Sequence, residues 1–270
     1  MRKWFDFILK KKKINNLNRF NYTDETLIKN VNSLKNHKFK NFKKTEHAYK
    51  TYKFLKKNLD KKELILFNGS GWAYTELFLS KKLKVIASDC NNEYFKFHKK
   101  NKSKNFKYII LDILKKKKNS KNKCFKKIVV NNIEYLFNDN ELNKCIKNIK
   151  KLGNKNTTFF IIFRSRDGLI IKLIDKYLIP LEIKCKQFLK NLNGAKLKFT
   201  KNLHGFRRSK KEFIYLLKKN NLKIDSVYED VYEDEYNRLA IIRHLKLSKF
   251  FSFLFLKSHP YLNIITFRFK

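Results

Sequence analysis

The stretch from Glu63 to Asp89, ELILFNGSGWAYTELFLSKKLKVIASD, constrains this chain more than any other. Leu64, Ile65, Leu66 and Phe67 form a short apolar run, as a strand buried on both faces does. Asn68, Gly69, Ser70 and Gly71 follow. Their side chains are small or absent, so a ligand can approach backbone N–H groups where the next helix starts. Trp72 to Lys81 can continue as that helix, and Lys84 to Ser88 supply a second strand with Asp89 at its C-terminal end. In open α/β sheets the ligand lies across the carboxyl ends of the strands. An acid about twenty residues past the glycines is placed to hydrogen-bond a ribose hydroxyl pair.

The same rhythm continues. Asn91 or Asn92 can cap a helix to about Lys100, and Phe106 to Leu111 is a third strand, followed by Asp112 and Ile113. Lys127 to Val130 forms a fourth strand, ending at Asn131 and Asn132, and Glu134 reads as a helix-start acid. Asn138-x-x-Glu141 has the form of a capping box, after which Leu142, Cys145, Ile146, Ile149 and Leu152 share one helical face. Thr157 to Phe163 is a fifth strand. Strands alternating with helices demand a parallel sheet covered on both faces. Residues 164–208 break the pattern as a helical insertion that includes Arg164, Arg166, Pro180 and the phrase HGFRRS, His204 to Ser209. Ser209-x-x-Glu212 is a second capping box, and Phe213, Leu216 and Leu217 give its helix an inner face. Leu222 to Tyr228 and Tyr261 to Lys270 are the last two strands. Between them lie an acidic stretch, Glu229 to Glu235, expected as a solvated turn, and an aromatic insertion at about 238–259. Residues 1–60 read as a basic helical extension, with one helix at His47 to Leu59, and 61–270 as the main domain.

The glycine turn, Asp89, Asp112 and Asn131 at successive strand ends resemble the cofactor half of class I S-adenosylmethionine (SAM) methyltransferases. The resemblance implies a Rossmann-like, doubly wound α/β fold: a mostly parallel seven-stranded sheet with an antiparallel last strand. It implies that SAM is the cofactor, with its methionyl part at Asn68, Gly69, Ser70 and Gly71, its ribose at Asp89, and its adenine near Asp112 and Ile113. Asn131 would face the cofactor from the fourth strand. The family often begins its motif with an acid and an extra glycine, positions that fall on Ile65 and Phe67. HGFRRS resembles the substrate segment of the ubiquinone- and polyketide-type small-molecule group. That implies a small or lipid-like acceptor methylated at oxygen, with Arg164, Arg207 and Arg208 holding it and His204 as a candidate base.

Composition opens competing readings. The net charge is +42 and nearly all 65 basic residues are Lys. Attraction to RNA or to an anionic membrane surface fits this, as does simple compositional bias toward A/T-rich codons. Arg, the usual fork for phosphate, is scarce. An RNA methyltransferase is therefore the second reading. A nicotinamide dehydrogenase is a third, against which Tyr74 stands where a small residue should allow close helix packing. A methyltransferase fold serving only to bind is a fourth. Cys90, Cys124, Cys145 and Cys185 are widely spaced, which suggests neither a metal site nor a disulfide framework. No apolar run reaches the length of a membrane span, and the expectation is a cytoplasmic protein, with or without peripheral attachment to a membrane.

Overall fold

The computed structural model describes residues 46–99, 103–115, 125–165, 208–230 and 262–270, with Tyr177 and Leu181 as single positions. All of them fall in the unit Lys43–Lys270. The expected helices before residue 46, most of the insertion at 164–208, and the aromatic segment at 238–259 lie outside the described residues.

Every expected strand of the main domain forms: β1 (Leu64–Asn68), β2 (Lys84–Asp89), β3 (Phe106–Ile110), β4 (Lys127–Asn131), β5 (Thr158–Arg164), β6 (Leu222–Asp230) and β7 (Leu262–Phe269). They build one sheet in the order β3-β2-β1-β4-β5-β7-β6. The strands from β1 to β5 pair in parallel, and β7 runs antiparallel to both β5 and β6. The apolar runs explain the centre. Ile65, Leu66 and Phe67 of β1 and Ile128 and Val129 of β4 are at most 1% exposed, so these strands are covered on both faces. Each such side chain contributes roughly 1.5–3 kcal/mol by leaving water.

Among the described residues five helices accompany the sheet: α1 (Glu46–Asn58), α2 (Tyr74–Leu79), α3 (Asn92–Lys99), α4 (Asp139–Lys150) and α5 (Lys210–Lys219). Both capping boxes are present. The Asn138 and Ser209 side chains accept from the Glu141 and Glu212 N–H groups, and each glutamate accepts in return from the cap residue's N–H. Helix α1 is tied to the sheet by Leu55, fully buried, and by Phe54, whose ring lies 4.8 Å from Tyr228 and 6.4 Å from Phe160.

Two expectations need correction. Glu229 and Asp230 are no turn. They extend β6 opposite Asn263 and Leu262, and salt bridges from Lys210 and Lys50 neutralise them. Helix α2 is also shorter than expected. It starts at Tyr74 rather than Trp72 because Ala73 takes a left-handed backbone (φ 53°, ψ 37°) that a right-handed helix cannot include.

Candidate functional site

Because β1, β2, β3 and β4 are parallel neighbours, their C-terminal ends share one rim. Asn68, Asp89 and Asn131 each close a strand there, and Asp112 follows β3 by two residues. This is where an open α/β sheet receives its ligand.

The turn after β1 has positive φ at alternate positions: Gly69 (75°), Gly71 (49°) and Ala73 (53°). Ile65 and Phe67, where the resemblance would place an acid and an extra glycine, lie in the core at 0% and 1% exposure. Gly69 is glycine for two reasons. Its φ is positive, and a Cβ would meet Ile133 Cγ2 at 2.1 Å and the Asn131 carbonyl oxygen at 2.9 Å. The turn thus rests its backbone directly on the end of β4.

Asp89 faces this turn. Its Oδ2 accepts from the Gly71 N–H at 3.0 Å and its Oδ1 from the Asn91 N–H at 3.1 Å. Oδ1 also accepts from the Cys90 thiol at 3.6 Å, while Oδ2 keeps a further lone pair for an incoming hydroxyl. Burial raises its pKa against the lowering effect of those N–H donors. Ser88 ties the rim from below. Its N–H donates to Ser70 Oγ (3.3 Å), its hydroxyl to the Phe67 carbonyl (2.7 Å), and its Oγ accepts from Asn68 Nδ2 (3.1 Å). The Ser70 N–H donates to the Ser88 carbonyl at 3.0 Å.

An aromatic group closes the other side. The Tyr108 hydroxyl donates to the Gly71 carbonyl at 2.7 Å, and His98 Nε2 bonds the Trp72 carbonyl at 3.2 Å. The His98 and Tyr108 rings stack at 4.7 Å, and Trp72 meets Tyr94 edge-on at 4.7 Å. Burial holds His98 down to about 4, so its ring is neutral. Glu76, in the first turn of α2, is 1% exposed, and burial raises its pKa to about 7.

Beyond β3, Asp112 Oδ1 accepts from the Leu114 N–H at 2.9 Å, while the buried Ile113 offers its carbonyl to Asn148 Nδ2 at 2.7 Å. At the end of β4, Asn131 Oδ1 accepts from Asn132 Nδ2 at 2.9 Å. Glu134 opens a single 3-10 turn (Glu134–Leu136) and is buried, at 3% exposure; burial raises its pKa to about 7, and the Arg164 N–H reaches its Oε1 at 3.4 Å. Arg208, expected at the substrate, is 5% exposed and braces this segment. Its Nε and Nη2 donate to Asp139 Oδ1 (3.1 and 2.8 Å), its Nη1 to the Glu134 carbonyl (3.0 Å) and its Nη2 to the Phe137 carbonyl (2.8 Å). Arg164 ends β5, half-buried. His204, Arg166 and Arg207 lie outside the described residues.

The structure therefore groups Asn68, Gly69, Ser70, Gly71, Asp89, Asp112, Ile113 and Asn131 along adjoining strand ends. Sequence reading passed over Ala73, Glu76, Ser88 and Tyr108, and took Glu134 only as a helix-start acid. Of these Glu76 carried a visible signal: an acid amid the apolar residues Leu77, Phe78 and Leu79 of a short helix. Among the described residues no group of His, Cys, Asp and Glu could hold a metal, and no helix is long and apolar enough to cross a membrane.

No protein-family model matches the chain, and no curated protein matches it. Solved structures do. A SAM-dependent methyltransferase from Methanosarcina mazei superposes with a TM-score of 0.52 at 12% identity, covering 80% of this chain and 96% of that one. A TehB-like SAM-dependent methyltransferase from Corynebacterium glutamicum gives 0.50 at 12% identity, covering 86% and 94%. The magnesium protoporphyrin IX methyltransferase of Synechocystis, with SAH bound, gives 0.50 at 10%, covering 83% and 82%. The chain has the fold of these methyltransferases.

Proposed function

We propose that the protein is a SAM-dependent methyltransferase acting on a small or lipid-like acceptor at oxygen. One observation carries the reading: the Asp89 carboxylate at the end of β2 is joined to the Gly71 N–H of the turn after β1. That pairing sets a ribose acceptor beside a side-chain-free stretch of backbone, and it lies on the rim where the fold receives its ligand.

The residues present fit the cofactor. Asp89 Oδ2 retains acceptor capacity for a hydroxyl. Gly71 leaves its flank open, since the nearest atoms to a Cβ there are those of the Tyr94 ring at 3.8 Å. Asp112, Ile113 and Asn131 stand on the adjoining strand ends for the adenine and the methionyl side. When bound, SAM supplies a methyl on a positively charged sulfur, ready for transfer. What the chain contributes is alignment of the acceptor and exclusion of water. The turn, pinned by Ser88 and Tyr108, holds its backbone without reorganising. Arg164, at the end of β5, and Arg207 are assigned to an anionic part of the acceptor. His204 is assigned as the base where the acceptor must lose a proton.

The test is transfer of label from methyl-tritiated SAM to three acceptor pools: phenolic small molecules, a total lipid extract and total RNA. Label in either of the first two, and its loss in Asp89→Ala, is the expected result. Label in RNA alone overturns the acceptor assignment, and label in none overturns the activity.

A further inference from the structure

A cavity of about 430 Å³ opens between α4 and the end of α5, lined by Asn140, Asn143, Lys144, Lys147, Lys219 and Asn220. The four residues from α4 are spaced i, i+3, i+4 and i+7, so they form one polar stripe on that helix. Lys219 is the last residue of α5 and Asn220 caps it. Asn220, 8% exposed, joins the two helices. Its Nδ2 donates to Asn143 Oδ1 (3.0 Å) and to the Leu216 carbonyl (2.8 Å), and its own carbonyl accepts from Lys150 Nζ (2.6 Å).

No Asp or Glu lines this cavity. Lys50, Lys127 and Lys210 are matched to Asp230, Glu63 and Glu229, whereas among the described residues Lys144, Lys147 and Lys219 enter no ion pair. Like charges one turn apart on a helix repel, so an anion between them relieves the strain. A helix C-terminus ordinarily opposes an anion through its unsatisfied carbonyls. Here those carbonyls are occupied. The Asn220 N–H donates to the Leu217 and Lys218 carbonyls, and the Asn221 N–H donates to the Lys218 carbonyl as well. What the cavity presents is therefore ammonium groups and side-chain amides. Lysine meets phosphate as a movable point charge, and asparagine can bond its oxygens or an adjoining hydroxyl. The volume is that of a small-molecule site, not of a groove that tracks a nucleic-acid strand.

We propose that this cavity is a second ligand site, for a compact phosphate-bearing group carried by a lipid headgroup or by a free phosphorylated compound. None of its lining residues belongs to the cofactor rim, so it stands or falls separately from the methyltransferase reading.

The probes are pyrophosphate and phosphatidylcholine vesicles containing phosphatidic acid, titrated into the full chain at physiological salt. Wild type is compared with Lys144→Gln, Lys147→Gln and Lys219→Gln combined. The charge-matched control combines Lys82→Gln, Lys84→Gln and Lys104→Gln, exposed residues at the starts of β2 and β3. Thermal unfolding shows that each is folded. The cavity variant is expected to bind pyrophosphate roughly 10- to 30-fold more weakly than wild type, and the control to stay within about twofold. Equal losses in the two variants show a diffuse attraction and overturn the proposal, as does wild type that takes up neither probe. Binding of pyrophosphate without vesicles supports a free phosphorylated compound. Vesicle binding that is lost in the cavity variant and kept in the control supports a lipid headgroup. Should the cavity variant not fold, acetylation of wild-type lysines read by mass spectrometry decides. Pyrophosphate is expected to protect Lys144, Lys147 and Lys219 over Lys82, Lys84 and Lys104, and uniform protection overturns the proposal.

Discussion

The methyl group of Ala73 sits at full burial on a left-handed backbone, φ 53° and ψ 37°, where an L-residue with a Cβ is strained. Glycine relieves that strain but adds freedom to the unfolded chain, so the net gain is modest. Ala73→Gly is expected to raise stability by roughly 0.5–1 kcal/mol, read as a higher urea midpoint with an unchanged slope. A lower midpoint would show that the methyl's packing outweighs the backbone strain. Alanine is the strongest helix former, so local propensity points to a helix through 73, and only the closed turn shows otherwise. Glu76 is the other residue with a measurable signature. Burial lifts its folded pKa to about 7, above the ordinary value of 4.5. The folded chain therefore holds that proton more tightly than the unfolded chain does. The associated stability is present below about pH 4.5 and is lost as pH rises through 7. His98, lowered to about 4, acts in the opposite sense over much of this range, so the quantity to measure is the difference between wild type and Glu76→Gln. From pH 5 to 7.5, without ligand, wild type is expected to lose roughly 1–3 kcal/mol relative to the variant. Parallel urea curves at the two pH values would refute the assignment.

Among the elements, the segment after β4 depends on one side chain. Arg208 delivers charge-assisted bonds to Asp139 and to the Glu134 and Phe137 carbonyls. Removing it leaves two buried acceptors short of donors and frees the 3-10 turn from the start of α5. Arg208→Ala is expected to cost roughly 2–4 kcal/mol by chemical denaturation; a loss under about 0.5 kcal/mol, within the usual range of a surface change, would show the brace to be dispensable. The elements themselves were legible because the central strands β1, β4 and β5 are built on continuous apolar runs and the two capped helices announce their starts at Asn138 and Ser209. The rim was legible for a related reason: in parallel strands the residue ending each run must land on the same edge. What stayed hidden depends on partners distant in the chain. Glu229 and Asp230 look like a turn until Lys210 and Lys50 are brought beside them. Arg208 looks like a ligand-facing charge until Asp139 is seen against it. The left-handed backbone at Ala73 stayed hidden as well, since φ cannot be read from an alanine.

For the whole molecule, the strand order and the antiparallel β7 make this a methyltransferase fold, and the central strands bring the turn, Asp89, Asp112 and Asn131 to one edge. The net charge of +42 adds a general attraction to anions and decides nothing about the rim. The measurement that bears most directly on the account is equilibrium binding of SAM to the full chain, wild type against Asp89→Ala, each first shown to be folded. The account predicts saturable one-to-one binding by wild type and at least a hundredfold loss in Asp89→Ala, as removing a buried charged acceptor of ribose hydroxyls requires (roughly 3 kcal/mol). Wild type that takes up no SAM, or a variant that binds it as tightly as wild type, would contradict it.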